Sequence, residues 1–158
     1  MLLLTPSLIS SFIKFRLGKL TKTQFKEVMY RFLTCVKDID KTIDDFWAQN
    51  EHRIFPWYLD IKSKEDVVIS ASPEFLLEPM CKKLGVQALM ASRVDKHTGL
   101  YTGENCYGQE KVQRFREYYK DEQIDSFYSD SLSDTPLAKL AKNSYIITPE
   151  GKVTNWPT

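Results

Sequence analysis

The sequence has 158 residues, of which 42% are hydrophobic and 27% charged. That balance excludes a disordered chain and suits one ordinary globular domain, or a core with a small added layer. Its 22 Lys and Arg against 21 Asp and Glu give a net charge of +1, which excludes the broad basic excess of a nucleic-acid-binding surface, so no nucleic-acid partner is expected.

The chain starts with Met1, Leu2, Leu3 and Leu4, and further apolar residues follow up to Leu17. No Lys or Arg precedes the run, Lys14 and Arg16 interrupt it, and it is too short to span a bilayer, so neither secretion nor membrane insertion is expected. Ile9, Phe12, Ile13 and Leu17 recur at helical spacing and predict a core-facing helix over 6–17, stopped by Gly18. An alternative makes Leu2, Leu3, Leu4, Phe12 and Phe15 a contact face for a partner or a membrane surface. Thr21 with Gln24 resembles a capping box, and Phe25, Val28, Met29, Phe32, Leu33 and Val36 continue as an amphipathic helix. Ile39, Ile43, Phe46 and Trp47 predict a third helix, and Trp57, Tyr58 and Leu59 a shorter one.

From about residue 65 the pattern changes. The β-branched run Asp66-Val67-Val68-Ile69 predicts a buried parallel strand. Ser72 is then expected to cap a helix with Pro73 at its first position, Glu74 in its first turn and Gly85 at its end. Residues 88–92 read as a second strand, 98–103 as a small turn or hairpin, and 108–119 as a helix with Val112, Phe115 and Tyr119 on one face. A third strand is predicted over 124–128. Ser133 or Asp134 would cap a helix holding Pro136 and ending near Asn143, and 145–147 would form a fourth strand. Alternating strands and helices imply an α/β, three-layer, Rossmann-like parallel sheet, with ligands beyond the carboxyl ends of its strands.

Cys35, Cys81 and Cys106 are far apart, odd in number and form no C-x-x-C pair, and His52 and His97 are isolated. Neither a disulfide framework nor a zinc site is expected, and the expected location is the reducing cytoplasm.

The polar residues at the predicted strand ends suggest chemistry. Ser70 offers a hydroxyl, and the backbone N–H groups from Ala71 onward, near a helix N-terminus, favour an anion. Lys111, near the start of a helix, is a mobile point charge suited to a phosphate oxygen. Asp130 and Asp134 in Tyr128-Ser129-Asp130-Ser131-Leu132-Ser133-Asp134-Thr135-Pro136 present hard oxygen ligands of the kind Mg2+ takes one or two of. Each also has a plain structural reading: strand-end cap, surface lysine, turn residue and helix N-cap.

In this order, the motifs resemble the haloacid dehalogenase-like hydrolases, in particular the phosphoserine phosphatase-like branch called subfamily IB. Val-Val-Ile-Ser-Ala-Ser-Pro-Glu resembles that family's second motif, Gly-Gln-Glu-Lys-Val its third, and Tyr-Ser-Asp-Ser-Leu-Ser-Asp-Thr-Pro-Leu its fourth. The segment from Thr102 to Gly108 also resembles the one leading into the third motif. The resemblance implies a helical cap over 1–62, a partial α/β core over 63–158, and a magnesium-dependent phosphatase of small phosphorylated metabolites acting through an aspartyl-phosphate. Its site residues would be Ser70, Lys111, Asp130 and Asp134, with Ser70, Ala71 and Lys111 at the phosphate and Asp130 and Asp134 at the metal.

The family's first motif, D-x-D-G-T on the first strand, is not found. Asp38-Ile39-Asp40 has the D-x-D spacing but lies between amphipathic helices. The chain is therefore expected to begin inside the cap, without the nucleophile strand, to be inactive, and either to be poorly stable by itself or to pair the two flanking strands in a way the family does not. In the family that strand lies between those ending here at Ser70 and Asp130, so both would face a gap. A second expectation is a non-catalytic descendant that binds a phosphorylated ligand or a partner.

Overall fold

The computed structural model describes residues 6–157. Helices come first: α1 (Pro6–Arg16), α2 (Lys22–Tyr30), α3 (Ile39–Asn50) and α4 (Pro56–Ile61). The mixed region follows as β1 (Val67–Pro73), α5 (Glu74–Leu84), β2 (Ala88–Ser92), α6 (Gln109–Tyr119), β3 (Ile124–Ser129), α7 (Thr135–Ala138), β4 (Ala141–Ile147) and β5 (Val153–Asn155). The α/β architecture expected from the sequence is present.

The capping box forms as read: the Gln24 amide donates to Thr21 Oγ1 at 3.1 Å, and the Thr21 amide donates to Gln24 Oε1 at 2.9 Å. The second helix is shorter than its apolar spacing predicts, because residues Arg31–Cys35 tighten into a 3-10 turn. At three residues per turn the stripe drifts off one face. Leu33 turns inward to join Ile39 and Ile43, each at most 6% exposed, while Phe32 stays 46% exposed. Phe75 and Leu76 pack on that cluster, and the Trp47 indole N–H donates to the Leu76 carbonyl at 2.6 Å, fixing α3 on α5.

The first helix is not core-facing. Ile9, Phe12, Ile13 and Leu17 are 47 to 64% exposed and no residue of α1 is buried. Its apolar side meets α2 through Phe25, whose ring lies 5.0 Å from Phe15 and 5.9 Å from Phe12, and one neighbouring ring covers too little of the stripe to bury it. The alternative contact face includes Leu2, Leu3 and Leu4, which lie outside the described residues. No described helix is long and apolar enough to cross a membrane.

Strand β1 runs through Ser70 to Pro73, so Ser72 does not cap α5; Pro73 precedes the helix with no side-chain cap. The Ser72 amide donates instead to Ser70 Oγ at 3.1 Å. The helix expected to run to Asn143 ends at Ala138, and β4 begins at Ala141. Pairing with β3 takes over there: Ile124 faces Ala141, the Asn143 amide group donates to the Asp125 carbonyl, and Lys142 meets Asp125 at 2.5 Å. The three-residue β5, which no apolar pattern announces, adds antiparallel to β4.

The strands form two separate sheets. Among the described residues β1 pairs in parallel with β2, β3 pairs in parallel with β4, and β1 and β3 share no ladder. A cleft of about 1150 Å³ lies between them, lined by residues 67–70 of one strand and 124–130 of the other. Each strand turns an unpaired edge to it, and such edges are sites for another strand. The gap expected between the strands ending at Ser70 and near Asp130 is thus a physical slot.

Candidate active site

Ser70 lies where the β1–β2 ladder slips. Ser70 faces Ala91, but the next register partners are Pro73 and Ser92, so Ala71 and Ser72 bulge out of the pairing. The bulge is held from behind. Ser92, fully buried, donates through Oγ toward the Ala71 carbonyl and the Asn105 side-chain oxygen, both at 3.2 Å, and accepts the Cys106 amide at 3.0 Å. Since Ser70 Oγ already accepts from the Ser72 amide, its own O–H remains a donor.

Lys111 is in the first turn of α6 and only 8% exposed. The chain enters that helix through Gly108 at φ +58°, a conformation that side chains rarely adopt. The Glu110–Arg114 pair at 2.7 Å and the Arg114 bond to the Ala91 carbonyl hold α6 against β2. Lys111 Nζ thereby points across the cleft and donates to Asp134 Oδ2 at 2.6 Å.

Asp130 follows directly on β3 and is exposed. Asp134 closes the 3-10 turn Leu132–Asp134, which Ser131 caps by accepting the Ser133 amide, and is 5% exposed. It makes no N-cap bond to α7. Its Oδ2 accepts from both Lys111 and Ser129 Oγ, the latter at 2.8 Å, while its Oδ1 is buried with no hydrogen-bond partner. A buried unpaired carboxylate oxygen costs free energy, and a cation or its water shell would satisfy it. Among the described residues no cluster of three His, Cys, Asp or Glu forms a closed metal cage. The donor set of Asp130 and Asp134 fits a hard cation that keeps most of its positions for water and substrate.

The structure therefore brings Ser70, Lys111, Asp130 and Asp134 to one cleft. Asp38 and Asp40 are elsewhere: Asp38 caps α3 by accepting the Lys41 amide, and Asp40 pairs with Lys96 at 2.6 Å. Sequence reasoning missed several neighbours. Lys26 of α2 donates to the Ala71 carbonyl at 2.6 Å, next to Ser70. Lys22, one turn earlier, sits 3.3 Å above the Tyr107 ring. Burial, and then the nearby Lys22 ammonium, hold the Lys26 ammonium below the ordinary lysine range. Hydrogen bonds from Ser133 and Lys22 lower the Tyr107 hydroxyl. The capping box located α2 in the sequence, but no local signal says which element its lysines will face.

A family profile for haloacid dehalogenase-like hydrolases matches residues 6–139. The chain belongs to this family. Among curated proteins, it is 34% identical over 107 residues to a probable phosphatase of Mycobacterium tuberculosis, covering 60% of this chain and 37% of that protein. It is 28% identical over 111 residues to a histidinol-phosphatase of Neisseria meningitidis, covering 59% of this chain and 50% of that one. The chain thus spans half or less of the length of these relatives. In fold it is similar to a protein of unknown function from Bordetella pertussis, with a TM-score of 0.67, 20% identity, and coverage of 91% of this chain and 73% of that one. It is also similar to a probable phosphoserine phosphatase from Vibrio cholerae, with a TM-score of 0.61, 14% identity, and coverage of 87% and 46%. The profile names a hydrolase family, and the two curated relatives are named as phosphatases.

Proposed function

We propose that the chain forms the cap and most of the core of a subfamily IB, phosphoserine phosphatase-like enzyme that hydrolyses small phosphorylated metabolites with Mg2+. The cap is residues 1–62 and the core 63–158. The observation that carries this reading is the slot: Ser70, Lys111, Asp130 and Asp134 line a cleft bounded by two unpaired parallel strand edges. A strand bearing an aspartate, supplied from outside the described residues, would pair with those edges and bring its carboxylate to the level of Ser70 and Asp130.

In the mechanism, the Ser70 hydroxyl, held by the Ser72 amide, donates to one phosphoryl oxygen and the Ala71 peptide N–H orients another. Lys111, with one of its three donors on Asp134, has two left to offset phosphoryl charge. Asp130 and the unpaired Oδ1 of Asp134 would hold the cation, which when bound neutralises charge on the phosphoryl oxygens. The slot-borne carboxylate attacks phosphorus, forming its O–P bond as the ester P–O bond breaks, and water later cleaves the acyl phosphate. Asp134 holds Lys111 in place and does not itself exchange a proton. The three free thiols support a reducing cytoplasmic setting.

The test is phosphomonoesterase activity of the natural full-length product, with Ser70→Ala and Lys111→Met each lowering kcat/KM by about a hundredfold or more. One observation favours a second reading: the only D-x-D in the chain caps α3 and pairs with Lys96 outside the cleft. Phosphate binding without turnover by the full-length product would establish that non-catalytic, ligand-binding role instead.

A further inference from the structure

The outer side of α1 takes no part in the phosphoryl site. Ile9, Ile13 and Leu17 recur every fourth residue and so run along one side of the helix. The Leu17 amide donates to the Ile13 carbonyl at 3.0 Å, which keeps Leu17 in helical register just past Arg16. All three stay exposed, as does Phe12 beside them. Phe15 lies on the opposite side and stacks on Phe25 of α2. One side of α1 is thus packed, and the other is an apolar ridge in water.

Cations are interleaved with that ridge. Arg16 is four residues after Phe12 and three after Ile13, so it stands between them, and Lys14 flanks the ridge. The turn through Gly18 brings Lys19 back to the same helix end, its amide donating to the Lys14 carbonyl at 2.8 Å. Lys14, Arg16 and Lys19 are exposed, and among the described residues no salt bridge includes them. Glu27 is the first acid in the sequence and five cations precede it, so the remainder of a chain at net +1 is acidic. Positive charge is concentrated where the ridge is.

An 11-residue helix is about 16 Å long, too short to cross a bilayer but able to lie in its surface. There apolar side chains enter the acyl boundary while Lys and Arg extend to anionic headgroups. A protein partner fits less well. Interface cores are depleted of Lys, and a second copy packed through the same ridge would set Lys14 and Arg16 against their own counterparts.

We infer that α1 docks the protein on an anionic lipid surface, with Ile9, Ile13 and Leu17 in the acyl boundary and Lys14, Arg16 and Lys19 on the headgroups. The docking does not depend on the phosphatase reading. Because α2 meets both α1 and the Ala71 bulge, a docked α1 would carry the cleft with it to the membrane.

Sedimentation of the full-length product with vesicles tests the docking. Vesicles of phosphatidylcholine alone are compared with vesicles holding about one-third phosphatidylglycerol. The expected result is partition onto the anionic vesicles at least about a hundredfold stronger than onto the neutral ones, weakening as NaCl is added. Ile13→Ser with Leu17→Ser should lower it about tenfold or more. Lys14→Gln, Arg16→Gln and Lys19→Gln together should lower it about a hundredfold. All five positions are exposed, so both variants should keep the wild-type melting temperature. Equal partition onto the two vesicle types, or partition unchanged in either variant, would overturn the docking. So would a wild type that sediments with neither. Analytical ultracentrifugation would then assign the face: a dimer lost in the serine variant gives it to a second copy, and a monomer gives it to another segment of the same product.

Discussion

The Lys111 ammonium lies 2.6 Å from Asp134 Oδ2, with the two side chains only 10% and 7% exposed. Removing one partner of a buried pair strands the other charge. Asp134→Asn is expected to lower stability by about 3–5 kcal/mol, read by urea denaturation. The double variant Lys111→Met with Asp134→Leu should recover a large part of that loss, since it leaves no orphaned charge. If Asp134→Asn instead unfolds at the wild-type urea midpoint, the pair is not buried in solution.

Asp130 offers the contrasting case. It is exposed, and among the described residues no salt bridge includes it, so Asp130→Asn should change stability by no more than about 0.5 kcal/mol. Its expected effect is on Mg2+: calorimetric affinity for the ion should drop at least about tenfold. Unchanged Mg2+ affinity would move the metal away from this strand end.

The slot makes a prediction about backbone protection. Amides of 67–70 and 124–129 that point toward β2 or β4 are in ladders, and those pointing the other way face the cleft. In the chain of residues 1–158, the cleft-facing set should exchange hydrogen at least about a hundredfold faster than the ladder set. In a longer product that carries the proposed strand, the two sets should become alike as it fills the slot. Equal protection in the 158-residue chain would mean that the two edges already have a partner.

Tyr58 gives a pH dependence with a definite sign. Burial, and then the Asp66 carboxylate, push its hydroxyl up from 10.0 to about 12. A group that ionises later when folded contributes stability below its unfolded value, and that contribution is lost as pH rises from 10.0 through about 12. Tyr58→Phe should therefore flatten the fall in melting temperature over that interval, and an unchanged slope would show that Tyr58 ionises freely in the fold.

Much of this was legible in residue order. The Thr21–Gln24 box, the positive-φ stop at Gly85, Lys111 in the first turn of α6 and Asp130 directly after β3 all follow from local spacing. What was not legible depends on partners distant in sequence. Lys142 and Asn143 look like the frayed end of a helix until Asp125 of β3 is beside them. The stripe on α1 reads as core by period alone, yet period does not say whether a second surface arrives to cover it, and the ring that meets Phe12 and Phe15 is that of Phe25. Lys26 carries no motif, and only the approach of α2 to the Ala71 bulge distinguishes it from other lysines.

The two half-sheets have a mechanical consequence. Ser70 rides on the β1–β2 pair and Asp130 follows the β3–β5 sheet, with no ladder bond between them; α6, fastened to β2 through Arg114, reaches Asp134 through Lys111. The span between the serine hydroxyl and the Asp130 carboxylate therefore rests on the Lys111–Asp134 bridge and on whatever occupies the slot, much as a hinge and a wedge together set the opening of a pair of jaws. A wedge of one strand's width would fix that span, and a change of wedge would retune both halves of the site together without altering a residue of either.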